Sequence, residues 1–224
     1  MFNLTTYLQG PAVKLHRANT WQFNSFGYRT HEHVVNPHIV VGGCSHTEGY
    51  GLQEVEETWP SQLEKQIGTQ VINLGKSAAN AEFVSQNLSL WLDHYKPQAV
   101  IAQWPQVFRS IHWTKGYGDF TTPHKQDELY KLKLASGEEH FLLTFVKSVV
   151  YLDNKCKLKD VPVIHIHLDV PGPEQPFLEQ VGINMHYDLK QPGQTWHFDS
   201  NAIDGVHHSE WCHTQWVERI RKLL

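Results

Sequence analysis

Short apolar runs that stop at glycine alternate along this chain with longer stretches whose apolar residues recur at helical spacing. Ile39 to Val41 reads as a buried strand ending at Gly42 and Gly43, and Gln70 to Leu74 as a second that stops at Gly75. Ala99 to Trp104 makes a third. In the fourth, Val161 to Leu168, Ile164, Ile166 and Leu168 alternate with Val163, His165 and His167. Between these runs, Thr58-Trp59-Pro60 opens a short helix, with proline where a missing N–H does little harm and Ser61 and Glu64 spaced as a capping box. Leu63 and Ile67 face its core side and Gly68 ends it. Asn80 to Tyr95 carries an apolar stripe of Val84, Leu88, Trp91, Leu92 and Tyr95, opposite a polar face of Gln86, Asn87, Ser89 and Asp93. Gly137 to Leu158 places Phe141, Leu142, Phe145, Val149 and Leu152 on one side. Ser209 to Leu224 closes the chain as a helix capped by Ser209, with Trp216, Val217, Ile220 and Leu224 as its buried stripe. Strands alternating with helices predict an α/β fold with a parallel sheet covered on both faces.

Three stretches break the pattern. Residues 1–37 mix aromatic and polar residues without a period and read as an N-terminal arm packed on a single domain of residues 38–224. Pro105 to Ser136 is long and aromatic, which fits a lid, a pocket wall or a clamp against the arm. No regular element can be placed in the Pro/Gly/Gln-rich connection from Asp169 to Ile203.

Composition narrows the function classes. A net charge of −4 with no Lys/Arg cluster argues against a nucleic-acid partner. The three cysteines, Cys44, Cys156 and Cys212, show no CxxC or zinc spacing, which points to a reducing compartment without disulfides. The first residues lack a signal-peptide pattern, and no apolar run reaches the ~20 residues of a membrane helix, so a soluble, cytoplasmic chain is expected. The 16 histidines include His31/His33, His165/His167 and His207/His208, and a His-x-His pair on a strand shares one face. Spacing fixes no further ligand, so no metal and no cofactor is assigned; His46 and His208 read as surface residues.

Candidate chemistry gathers at His38 to Gly51, where a strand runs into a glycine-rich turn that presents Ser45. Asp204-Gly-Val-His207, just before the last helix, offers a general base and the carboxylate that orients it. Together these make a candidate triad in chain order Ser, Asp, His. Cys44, directly after an apolar strand, reads as a small buried residue rather than as the nucleophile.

The run Gly43-Cys44-Ser45-His46-Thr47-Glu48-Gly49 resembles the Gly-Asp-Ser-x-Thr-x-Gly first block of the SGNH (GDSL-type) hydrolase superfamily. Glu57-Thr58-Trp59-Pro60 resembles the continuation seen in bacterial and phage-encoded members, Asn73-Leu74-Gly75 the second block, and Asp204-Gly-Val-His207 the fifth. The resemblance implies a three-layer α/β/α sandwich with a five-stranded parallel sheet, the flavodoxin-like SGNH fold. It also implies a serine esterase: Ser45 as nucleophile, His207 as base, Asp204 orienting it, and the backbone N–H groups of Ser45 and Gly75 in the oxyanion hole. The third block departs from the family, and Gln106 or Gln103 would supply its side-chain amide. The implied substrate is a small acyl ester, including O-acetyl groups on carbohydrate. The alternatives are a carbohydrate O-acyltransferase and a non-catalytic carbohydrate-binding or virion-associated module. The oligomeric state is left open.

Overall fold

The computed structural model describes residues 23–107, 110–114, 117–121, 138–167, 171–187 and 208–224. The elements in chain order are β1 (His38–Gly42), α1 (Ser45–Glu48), α2 (Trp59–Ile67), β2 (Gln70–Asn73), α3 (Ala81–His94), β3 (Ala99–Trp104), β4 (Ser110–Thr114) and β5 (Tyr117–Thr121). They continue with α4 (Glu138–Leu158), β6 (Val163–His167), α5 (Gln175–Gln180), β7 (Met185–Tyr187) and α6 (Glu210–Ile220). Five strands form one parallel sheet in the order β2-β1-β3-β6-β7. Every residue of β1 is buried, as a central strand covered on both faces must be.

Alternation along the strands sorts the core into two layers. Val40, Ile72, Val100 and Trp104 pack under α3 and α4 with Leu88, Leu92, Phe145 and Val149. Ile39, Val41, Ile101, Ile164 and Ile166 pack under α2 and α6 with Trp59, Leu63, Trp216 and Val217. Each such aliphatic or aromatic side chain contributes roughly 1.5–3 kcal/mol on burial. The three-layer α/β/α arrangement expected from the sequence is therefore present. Among the described residues no helix is long and apolar enough to cross a membrane.

The differences from the sequence reading are local. The α2 N-cap is Thr58, whose hydroxyl accepts from Ser61 N at 3.4 Å, and the capping box sits one turn earlier, between Glu54 and Glu57. Leu224 is half exposed and Leu223 takes its place against the core. Asn87 and Ser89 are buried; residues 23–30 cover Asn87, to whose Oδ1 Tyr28 Oη donates at 3.1 Å. Within Pro105 to Ser136, β4 and β5 pair as an antiparallel ribbon, and the rest of that stretch lies outside the described residues. The Asp169–Ile203 connection contains α5 and the last sheet strand, β7, which at three residues is too short for a period to register.

Residues 23–37 of the N-terminal arm cover the β2 edge of the sheet. Asn73 N donates to Thr30 Oγ1 at 2.9 Å, and Val71 N to Glu64 Oε2 at 2.8 Å. At the start of β1, buried His38 has Nδ1 2.9 Å from Asn36 Oδ1, and its Nε2 accepts from Trp91 Nε1 at 3.1 Å. Both bonds are made by the neutral ring with its proton on Nδ1, and burial lowers the ring's pKa below the usual 6.5. The unfolded chain therefore takes up a proton near pH 6.5 that the folded chain refuses until lower pH, so stability is lost as pH falls through that window. Urea unfolding at pH 7.5 and 5.5 is expected to show a smaller acid loss for His38→Leu than for wild type; equal losses would refute the assignment.

Candidate active site

The turn after β1 is built by close approach. A Cβ on Gly42 would lie 2.8 Å from Leu88, and one on Gly43 would lie 1.9 Å from Thr47 Oγ1 and 3.0 Å from the Gln103 carbonyl. Only glycines let β1 run this close to α3 and bend at once into α1. Cys44 is the α1 N-cap and fully buried; its carbonyl accepts from Thr47 N and Glu48 N, both at 3.0 Å. Its side chain makes no capping bond, so the carboxylate cap that an aspartate would give here is missing. Ser45 is the first residue of α1, at the carboxyl end of the sheet, and is 5% exposed. Parallel α/β sheets place their sites at this rim.

Three neighbours of Ser45 anchor the turn. Thr47 Oγ1 donates to Gln103 Oε1 at 2.5 Å, and Trp59 Nε1 donates to the same oxygen at 3.3 Å. Trp59 N in turn donates to His213 Nδ1 of α6 at 2.9 Å. Two donors on one oxygen fix which way the Gln103 amide faces, and its Nε2 is buried without a partner among the described residues. Glu48, 1% exposed, accepts from Ser77 N at 2.8 Å and from Ser77 Oγ, and its other oxygen lies 4.0 Å from Lys76 Nζ. His46 turns its Nδ1 to His208 Nδ1 at 2.9 Å, across 162 residues. Both rings are half-buried and rest against Trp216, which corrects the surface reading of these two histidines.

The loop after β2 is tied to the turn through Asn73. Gly75 packs where a Cβ would come within 2.6 Å of Glu48 N, but its own N–H donates to Asn73 Oδ1 at 2.8 Å. Asn73 Nδ2 in turn holds the Thr47 carbonyl at 2.8 Å. The Gly75 amide and the Thr47 carbonyl are thus both bonded to Asn73. Three residues on, Ala78 has φ +63°, and among the described residues its N–H has no hydrogen-bond acceptor. Ala78 is thus an alanine held in the left-handed region, one residue past the Glu48–Ser77 contact. Its residue type gave no signal, because glycine is the usual occupant of that conformation.

Of the other predicted residues, Gln106 is exposed just beyond β3, whereas Gln103 is fully buried. Asp204 and His207 lie outside the described residues. His165 is buried, accepting from Trp104 Nε1 at 3.1 Å with Asp153 Oδ1 3.4 Å away, and hydrogen bonding to His165 holds the Asp153 carboxyl below its usual range. That pair is core structure. Phe26, Tyr28, Trp91 and Tyr95 help line a cavity of about 590 Å³ between the arm and α3, and none of its lining residues is a predicted site residue. Ala78→Gly is expected to raise stability by about 1 kcal/mol by removing the left-handed strain, read as a higher midpoint in thermal unfolding; an unchanged or lower midpoint would show that Ala78 is not strained.

Neither a protein-family model nor a curated protein matches the sequence. Solved structures do match in fold. The psychrotrophic esterase EstA from Pseudoalteromonas sp., inhibited by monoethylphosphonate, superposes with a TM-score of 0.57 at 15% identity, covering 84% of this chain and 96% of that one. A lipolytic protein of the G-D-S-L family from Desulfitobacterium hafniense gives 0.57 at 15% identity, with 84% and 100% covered. The acetyl xylan esterase Est2A from Butyrivibrio proteoclasticus gives 0.53 at 10% identity, with 85% and 64% covered. Over most of its length, this chain is built on the fold of the GDSL (SGNH) esterases.

Proposed function

We propose that this protein is a serine esterase that hydrolyses a small acyl ester, including O-acetyl groups on a carbohydrate. The observation that carries this reading is the 2.9 Å contact between His46 and His208. Each is the chain neighbour of a proposed reacting residue, Ser45 and His207, and consecutive Cα atoms are only about 3.8 Å apart. The neighbours support the substrate class, since two of them are described as an esterase and an acetyl xylan esterase.

In the proposed reaction His207 takes the Ser45 hydroxyl proton as Oγ bonds to the ester carbonyl carbon, and Asp204 steadies the imidazolium. The tetrahedral intermediate collapses as the bond to the alcohol oxygen breaks, and His207 returns the proton to that oxygen. Water, deprotonated by the same imidazole, then releases the acid from Ser45. Developing negative charge on the carbonyl oxygen is met by the Ser45 and Ala78 N–H groups. Gln106, exposed just beyond β3, is the proposed third donor.

Two experiments test this reading. A fluorophosphonate probe followed by mass spectrometry is expected to label Ser45, and Ser45→Ala to lose both label and p-nitrophenyl acetate hydrolysis. Label on Cys44, or hydrolysis unaffected by Ser45→Ala, would sink the reading. If wild type binds acetylated glycan without turnover or label, the chain is a binding module. For the third donor, Gln106→Ala is expected to lower kcat about 100-fold with the melting temperature kept. Gln103→Ala is expected to lower the melting temperature instead, because it strips Thr47 and Trp59 of their shared acceptor.

A further inference from the structure

His46 and His208 turn their Nδ1 atoms toward one another at 2.9 Å, although 162 residues separate them in the chain. In the metal-free protein one of these nitrogens donates its hydrogen to the lone pair of the other. The same spacing has a second chemical meaning. An imidazole nitrogen sits about 2.0–2.1 Å from a divalent transition metal, so two of them bound at right angles lie about 2.9 Å apart, and two at a tetrahedral angle about 3.4 Å. The observed separation matches the right-angled case, which square-planar or tetragonal Cu²⁺ and Ni²⁺ favour.

The two rings are also held in place before any ion arrives. Their centroids lie 4.6 Å apart, and Trp216, 2% exposed on α6, stands 6.1 Å from the His46 ring and 5.0 Å from the His208 ring. His46 belongs to α1, and His208 directly precedes Ser209, the N-cap of α6. Ligands fixed in advance lose little freedom on binding. Both rings are half-buried rather than sealed from water, which leaves a route for a hydrated ion. His213, whose ring is 4.8 Å from Trp216, adds no third ligand through Nδ1, because that atom accepts from Trp59 N at 2.9 Å.

We propose that His46 and His208 form a two-imidazole clip for a tetragonal divalent metal ion, Cu²⁺ above all, bridging the turn after β1 and the start of α6. As the ion enters, the hydrogen shared between the rings moves to Nε2 of its own ring. Both Nδ1 lone pairs then bind the metal, and neither neutral imidazole changes charge. The clip is independent of the esterase reading, since it needs only the contact between the two rings.

Titrating CuCl2 into the full chain at neutral pH, followed by electron paramagnetic resonance and tryptophan fluorescence, tests the clip. The tightest-bound equivalent is expected to give a tetragonal spectrum with hyperfine splitting from two nitrogens, and to quench fluorescence because Trp216 stands beside the ion. His46→Asn and His208→Asn each replace an imidazole with an amide that can keep the hydrogen bond but is a poor metal ligand. Either is expected to weaken binding at least about tenfold, and the double variant no further, because losing one ring already ends chelation. His94→Leu, at an exposed imidazole on the end of α3, is expected to leave the tightest site unchanged. Fewer than two nitrogens on the tightest-bound ion in wild type overturns the clip without recourse to any variant. So do asparagine variants that bind as tightly as wild type, or losses that add in the double variant.

Discussion

A carboxylate with almost no access to water constrains the whole rim of this protein. Glu48 lies one helical turn after Ser45, and removing one partner from a buried charge typically costs about 3–5 kcal/mol. Its hydrogen bonds to Ser77 and its proximity to Lys76 tie the turn after β1 to the loop after β2. Lys76 extends the tie outward by donating to the Gly27 carbonyl at 3.0 Å, and Arg29 adds bonds to the Gly49 and Gln53 carbonyls at 2.8 and 2.9 Å. Loops that would otherwise be free to move are held in one arrangement by the need to satisfy that charge.

A second set of polar contacts runs through the opposite layer. Thr47, Gln103, Trp59 and His213 connect α1 to β3, then to α2 and α6. The apolar layers hold the sandwich together without specifying where the rim residues sit. The directional bonds do the specifying, and they converge on the four-residue helix that begins with Ser45.

The sandwich was legible because its long elements repeat cleanly: β1, β3, α3 and α4 fall where apolar spacing puts them. β7 and α5 were not, since three residues, or six that include a proline, carry no period. Asn87 looked solvent-facing because helical spacing knows nothing of the arm laid across α3 by Tyr28. In the candidate site, Ser45 could be read from the strand-to-turn transition. The bond from the Gly75 amide to Asn73 could not, because it depends on which way a peptide plane faces. The pairing of His46 with His208 joins residues too distant in sequence for any local pattern to connect.

The plugged edge of the sheet bears on how copies of this protein can meet. On β2 the outward amides of Val71 and Asn73 are taken by the side chains of Glu64 and Thr30. A bare edge strand is a template on which another chain can add and continue the sheet, and such growth underlies both edge-to-edge dimers and aggregation. Here the template is occupied by side chains that cannot themselves propagate a strand. Joining two molecules through this edge into one continuous sheet would first require those donors to be released, so self-association through β2 carries a built-in energetic barrier.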